Sequence, residues 1–346
     1  MSDLRTQTLT ALCSSGGCAA KYDGVLLRSL LERIPSASDP NLLVGLDPAD
    51  DAAVLRISES QALVFTVDFF PPVVDDPKTF GRIAANNALN DVYAMGGRPA
   101  LALSVAAFPE ELPPEILADV VAGAASQCSE VGVILAGGHT IRDAEPKFGL
   151  AVAGFVDPHR IWLKSGAQVG DVLVLTKPLG TGLIITGQRK GVLREGELDA
   201  TIRWLLMPNS STVEILRAHA PNAVTDVTGF GLLGHAHEVA SSSNVRLTIA
   251  LSTMPLVPGA QRLAAAGVVT SGDSRNRGLV PEALAGASHL DSALLVVALD
   301  PQTAGGLLIS LPPSNAEALV QELAESGLRA TQVGTVGLGA GLTIIE

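Results

Sequence analysis

Cysteine, aromatic side chains and excess positive charge are all scarce in this 346-residue chain. Cys13, Cys18 and Cys128 have no framework spacing, so a disulfide scaffold is excluded and a reducing, cytoplasmic setting is expected. Aromatics make up 3% of residues against 47% hydrophobic, so the core must be built mainly from Ala, Val, Leu and Ile. The 23 Lys and Arg face 35 Asp and Glu, a formal net charge of −12. That balance argues against a nucleic-acid partner, which asks for clustered cations. No apolar run is long enough to span a bilayer, and Met1-Ser2-Asp3-Leu4-Arg5 lacks a secretion signal's charged-then-apolar pattern.

Several familiar motifs are also missing. There is no Walker A sequence; the nearest imitation, Gly182 to Gly187, runs into Gln188-Arg189 instead of Lys-Ser/Thr. Protein-kinase signatures are absent. The run Gly229-Phe230-Gly231-Leu232-Leu233-Gly234 fits GxGxxG, but an apolar stretch, Leu247–Met254, stands where a dinucleotide site needs an acid about 20 positions on. NAD is therefore rejected, and these glycines are read as letting a helix start approach the backbone or phosphates closely. His235 and His237, two apart on a helix, point in different directions and are read as surface or packing residues, not zinc ligands.

What the chain does have is four aspartates among apolar or small neighbours: Asp51, Asp68, Asp91 and Asp226. A carboxylate in such a setting must be paired, hydrogen-bonded, protonated or holding a cation. Four of them beside glycine-rich stretches point to a site for Mg²⁺ and polyphosphate, because hard cations prefer carboxylate oxygens. Asn87 and Asp91, four apart, share one side of an Ala-rich helix, and Asp68 closes an apolar strand. Cys18 and Lys21 sit three apart among small residues, and a nearby ammonium favours the thiolate.

Residues up to about 45 look peripheral, with one short amphipathic helix near Val25–Ile34. A compact alternation follows. Strands are expected at Ala62–Val67, Ala100–Ala107, Val133–Ala136 and Phe148–Val156, and helices at Pro77–Met95 and after Pro113-Pro114. His139 is placed at a double-glycine turn after the third of these strands. A second unit begins near Gly170, with strands at Val172–Thr176, Val245–Ala250 and Leu307–Leu311. Adjacent strands late in the first unit favour α+β over a repeating βαβ arrangement.

In order along the chain, these blocks resemble the selenophosphate synthetases (selenide, water dikinases), of the family that includes aminoimidazole ribonucleotide synthetase. The resemblance is carried by Gly17-Cys18-x-x-Lys21, Asp50-Asp51-Ala52-Ala53-Val54, Thr66-Val67-Asp68-Phe69-Phe70 and Phe80 to Gly97. It continues in Ala136-Gly137-Gly138-His139-Thr140, Thr176 to Gly182, Thr225 to His235 and Asp300 to Gly306. It implies a two-domain α+β fold: a mobile segment over 1–45 carrying Cys18 and Lys21, an ATP- and Mg²⁺-binding domain over 46–157, and a C-terminal α+β domain over 168–346. It further implies a homodimer whose N-terminal sheets pair into a β-barrel, with ATP near that interface.

By matching motif, Asp51, Asp91 and Asp226 become metal ligands. Lys21, Asp68, Asp91, Gly138, His139 and Thr140 become nucleotide contacts, and Cys18 with Lys21 the catalytic pair. The implied reaction turns ATP, selenide and water into selenophosphate, AMP and phosphate. Two departures stand out: Ala20 occupies the position where many members carry a second cysteine, and Ser14-Ser15 replaces a His-Gly common in relatives. A sibling ATP enzyme, such as thiamine-phosphate kinase, would share the aspartates but lack the Cys18–Lys21 pair. A non-catalytic nucleotide-binding regulator would bind Mg-ATP without turnover.

Overall fold

The computed structural model describes residues 8–14, 16–21, 24–31, 33–34 and 39–346. The first half forms one six-stranded sheet from β1 (Leu42–Leu46), β2 (Ala49–Arg56), β3 (Ala62–Phe70), β4 (Arg98–Phe108), β5 (Ile134–Arg142) and β6 (Lys147–Val156), in the order β1-β2-β3-β6-β4-β5. All neighbours are antiparallel except β4 and β5. The second half adds β7 (Val172–Leu175), β8 (Ala223–Asp226), β9 (Arg246–Ala250), β10 (Leu307–Leu311), β11 (Thr331–Gly337) and β12 (Gly341–Ile345), in the order β12-β9-β11-β7-β10-β8. This mixed arrangement is α+β, as expected.

Strand β3 shows how sequence alternation sets the two faces. Ala62, Val64, Asp68 and Phe70 point inward and are buried, while Phe65, Val67 and Phe69 point outward and are exposed. The inner face is covered by the helices Pro77–Ala94 and Pro114–Glu130. Phe80 links it to Phe70 and Phe148 through edge-to-face contacts, with ring centroids 6.1 and 6.4 Å apart. Asp76 caps the first helix by accepting from Thr79 N at 2.7 Å, Pro77 opens it, and Gly96 at φ +71° follows its end.

The two helices pass in backbone contact. A Cβ on Gly81 would run into the carbonyl of Val120, and one on Gly123 into that of Lys78. In the second sheet β7, β8 and β10 are buried along their whole length, which matches the unbroken apolar run of β7 and leaves Thr225, Asp226 and Ser310 as buried polar groups in β8 and β10. Alternate residues of β7 face different cores: Val172 and Val174 join the cluster that fills the first half, whereas Leu173 and Leu175 join that of the second.

Asparagines of the helix Pro77–Ala94 join the halves. Asn86, Asn87 and Asn90 are fully buried. Asn86 Nδ2 donates to the carbonyls of Leu205 and Met207 at 2.8 and 3.0 Å, and Asn90 Nδ2 to that of Gly305 at 3.1 Å. Beneath them Lys177, 4% exposed, donates from Nζ to Met207 O at 2.6 Å and Ala304 O at 2.8 Å. Burial pushes its ammonium from 10.5 down to about 7, against the opposing pull of Asp226.

Two elements differ from the sequence reading. β5 does not stop at Ala136 but continues through Gly137 and Gly138 to Arg142, because Gly138, His139 and Thr140 pair with Ser104, Val105 and Ala106 of β4. Ladder hydrogen bonding outweighs the turn preference of two glycines, and a Cβ at Gly138 would strike Ser104. The segment around Cys18 is also not peripheral. Gly17 N donates to Pro71 O at 3.0 Å, Thr10 Oγ1 to Asp75 at 2.6 Å, and Arg275 to the carbonyl of Ala19.

Gly81→Ala or Gly123→Ala is expected to cost on the order of 2 kcal/mol through forced helix separation, seen as a lower urea midpoint at unchanged m-value. For Lys177 the unfolded chain binds more protons than the native one between about pH 7 and about pH 10, so its contribution to stability rises across that interval. The stability gap between the parent and Lys177→Met should therefore widen from neutral to alkaline pH in paired denaturant titrations; a flat or narrowing gap contradicts the assignment.

Candidate functional site

The inward turn of Asp68 brings its carboxylate to the helix Pro77–Ala94, where Asn87 Nδ2 donates to Oδ2 at 2.7 Å. Lys21 Nζ lies 3.4 Å from the same oxygen. The other end of the Asn87 amide is equally engaged: Oδ1 accepts from Ala304 N at 2.7 Å and from Cys18 Sγ at 3.5 Å. Cys18 N donates to Thr303 Oγ1 at 3.3 Å. The thiol, the ammonium and the first aspartate thus meet around one asparagine, together with a loop from the second half. Ala304 carries a left-handed backbone, φ +48°, which a non-glycine residue keeps only where its surroundings hold it. Here Lys177 and Asn87 hold its carbonyl and amide.

Asp91 lies one helical turn beyond Asn87, and Thr66 Oγ1 donates to its Oδ2 at 2.6 Å. Asp226, 1% exposed, ends β8, and its Oδ2 is buried without a hydrogen-bond partner. Asp51 on β2 accepts from Thr225 Oγ1 at 3.1 Å and pairs with Lys164 Nζ at 2.8 Å, and its Oδ2 is likewise partnerless. Lys164 also reaches Glu238 at 3.3 Å.

The charges crowd one another. Burial pushes Asp91 up to about 7, reinforced by Asp68 and Asp51 and opposed by Lys21 and the Thr66 hydroxyl. Burial, then Asp91 and Asp51, raises Asp226 well above the ordinary carboxylate range. At Lys21, whose side chain is still 40% exposed, partial desolvation disfavours the ammonium, but Asp68, Cys18, Asp91 and Asp226 together outweigh it and raise its pKa. Burial pushes the Cys18 thiol up to about 12, and neither Lys21 nor Thr303 offsets this. The expected thiolate is therefore corrected: enclosed at 1% exposure, Cys18 is a thiol at neutral pH, because desolvation exceeds the attraction of one ammonium.

Among the described residues no three His, Cys, Asp or Glu side chains already stand in ligating range of one ion. Asp51, Asp91 and Asp226 nonetheless interact electrostatically, and two of them present unpartnered buried oxygens. An all-oxygen carboxylate set with unused lone pairs fits a hard divalent cation such as Mg²⁺.

Gly138, His139 and Thr140 are not brought together with Lys21. Strand pairing runs from Asp68 through Leu150 and Ser104 to Gly138, about 14 Å across three strand spacings. His139 falls in the row of Val105, Gly149 and Phe69, on the uncovered face. The GxGxxG glycines serve close packing: Gly229 leaves room for the Lys21 side chain, and Gly231, at φ +69°, for the backbone of Leu299. His235 is 4% exposed and accepts from Thr228 N at 3.1 Å, a packing histidine.

Sequence reasoning passed over Lys164, Lys177 and the acceptor role of Thr303. Lys164 carried no signal, being a lone lysine between the two units. Lys177 and Thr303 lie within quoted blocks, Thr176 to Gly182 and Asp300 to Gly306, and were available as polar residues in apolar, glycine-rich surroundings.

The family descriptions "AIR synthase related protein, N-terminal domain" and "C-terminal domain" match residues 49–156 and 168–345. A selenide, water dikinase of Geobacter metallireducens is 48% identical over 330 residues, covering 95% of this chain and 96% of the relative. Selenide, water dikinase 2 of Peptoclostridium acidaminophilum is 41% identical, covering 94% and 93%. Among solved structures, AaThiL complexed with AMPPCP and TMP superposes with a TM-score of 0.68 at 19% identity over 92% of this chain and 91% of that one. Thiamine-monophosphate kinase from Stenotrophomonas maltophilia gives 0.67 at 20% over 94% and 96%. These two share the fold; the sequence relatives, matched nearly end to end, place the chain in the AIR synthase-related family, among the selenide, water dikinases.

Proposed function

We propose that the chain makes selenophosphate from selenide, ATP and water, releasing AMP and phosphate, to supply selenium for selenocysteine and selenouridine synthesis. The observation that carries this reading is the Cys18–Asn87–Asp68–Lys21 cluster, a soft sulfur group beside an ammonium and a carboxylate, next to a polyanion-type acid site. It fits the sequence relatives' name and separates the chain from kinases that need only the acids.

Phosphoryl transfer asks a protein mainly for positioning and charge neutralisation. Lys21, whose side chain stays 40% exposed beside Asp68, offers positive charge where the leaving diphosphate becomes more negative. Asp51, Asp91 and Asp226 would hold Mg²⁺, which when bound neutralises phosphate oxygens. Lys164 supplies the counter-charge at Asp51 in the structure described here. Cys18 orients selenium from a protonated, enclosed sulfur, and the packing of its segment against Pro71 and Thr303 keeps water away from the first transfer. Asp68 and the strand residues Gly138, His139 and Thr140 are assigned to the nucleotide.

We assign the chain as a homodimer on the uncovered face of the first sheet. Phe65, Val67, Phe69, Leu101 and Leu103 are all more than two-fifths exposed there, an apolar surface that a sheet with one covered face ordinarily buries against a partner. His139 lies on the same face, which supports a nucleotide bound near that interface. Among the described residues no helix is long and apolar enough to cross a membrane.

The decisive assay is AMP release from ATP with and without selenide. Lys21→Ala and Cys18→Ser should each lower selenide-dependent AMP release by about 100-fold or more, with unfolding midpoints near the parent's. AMP formed equally without selenide, or parental rates in both variants, would end the assignment. In sedimentation velocity the parent should run as a dimer and Phe65→Asp as a monomer; a monomeric parent rejects the barrel.

A further inference from the structure

A cavity of about 210 Å³ adjoins Thr303. Its walls include Gly16 and Ala19, which flank Cys18, together with Arg189, Lys190, Thr270 and Thr303. Thr303 belongs to both places, since its Oγ1 accepts from Cys18 N at 3.3 Å while its side chain lines the cavity. The cavity therefore adjoins the thiol segment directly, through residues 16–19 and one shared threonine.

Its walls are cationic. Among the described residues no acidic side chain lines it, in a chain of net charge −12, while one guanidinium and one ammonium do. Two of its polar groups have nothing to bond. Thr270, 7% exposed, has a buried Oγ1 without a partner, and Arg189 has a buried Nε without one. Among the described residues the Arg189 guanidinium makes one hydrogen bond, a long one of 3.4 Å from Nη2 to Pro72 O. Buried donors are rarely left unused unless a ligand or water satisfies them. Gly16 leaves the space in front of this group, since a Cβ there would stand 2.9 Å from Arg189 Nη2.

Size and wall chemistry define the ligand. The cavity has room for a small ion with a few waters, each water taking ~30 Å³. Ile185 and Pro301 add apolar surface beside the cations. That combination suits a soft, weakly hydrated monoanion better than phosphate, which needs donors on every side. Selenide in neutral water is such a monoanion, HSe⁻. We propose that this cavity binds hydroselenide beside Cys18 before phosphoryl transfer, with Arg189 as its main counter-charge and Thr270 as a hydroxyl contact. The identity of the anion rests on the dikinase reading; the existence of a monoanion site does not.

Two measurements test the proposal separately from that reading. In anaerobic kinetics with sodium hydrogen selenide, Arg189→Gln should raise the KM for selenide about tenfold, the effect of losing one charge-assisted hydrogen bond. The KM for ATP should not change, and Arg189→Lys should recover part of the loss. Thr270→Val, which keeps shape and removes the hydroxyl, should raise the selenide KM by a smaller factor and serves if Arg189→Gln does not fold. In crystals soaked in sodium bromide, an anomalous peak is expected in the cavity of the parent and not in that of Arg189→Gln. Unchanged selenide KM in folded variants of an active parent overturns the proposal, as does a cavity without bromide or one from which inorganic phosphate displaces it more readily than chloride does. A parent without selenide-dependent AMP formation defeats the dikinase reading instead, and leaves the bromide result to judge the anion site.

Discussion

The site depends on the side-chain amide of Asn87. Its nitrogen donates to Asp68, and its oxygen accepts from the backbone of Ala304 and from the thiol of Cys18. One buried group thereby fixes a strand end in the first half, a loop in the second and the N-terminal segment. An amide suits this position because it has donors on one side and an acceptor on the other. An aspartate there could not donate to Asp68, and a leucine would strand three polar groups in a largely buried seam. The strained backbone of Ala304 persists because Asn87 and Lys177 grip it from both sides.

The second constraint is charge. The seam gathers Asp51, Asp68, Asp91 and Asp226, and among the described residues Lys21 pairs with Asp68 and Lys164 with Asp51. Burial and mutual repulsion drive Asp91 and Asp226 toward protonation, and each added cation relieves that cost. The protein thus stores an appetite for positive charge where polyphosphate chemistry needs a metal. The same burial that makes the acids cation-hungry keeps Cys18 a thiol.

Much of this was legible in the chain itself. An apolar run located β3 with Asp68 at its close, and Pro77 and Gly96-Gly97 bounded the helix that carries Asn87 and Asp91. Four aspartates in apolar surroundings announced a cation site, because carboxylates do not enter cores without compensation. Less legible were features that exist only between segments. Gly137-Gly138 read as a turn and became strand because β4 lay alongside to pair with it. Cys18 read as part of a peripheral, thiolate-prone segment and became an enclosed thiol because Pro71, Asn87 and Thr303 close around it.

By itself, then, the sequence determined the secondary-structure alternation, the cation-seeking character of the acids and the family, since local patterning and residue chemistry do not need the fold to be visible. Only the tertiary structure decided which groups compensate which. That Lys164 answers Asp51, that Lys177 props Ala304, that His139 faces away from Asp68, and that Arg189 lines an acid-free cavity beside Cys18 all depend on distances between segments far apart in the chain. Coulomb energies, desolvation and hydrogen bonds are set by those distances, and no single stretch of sequence encodes them.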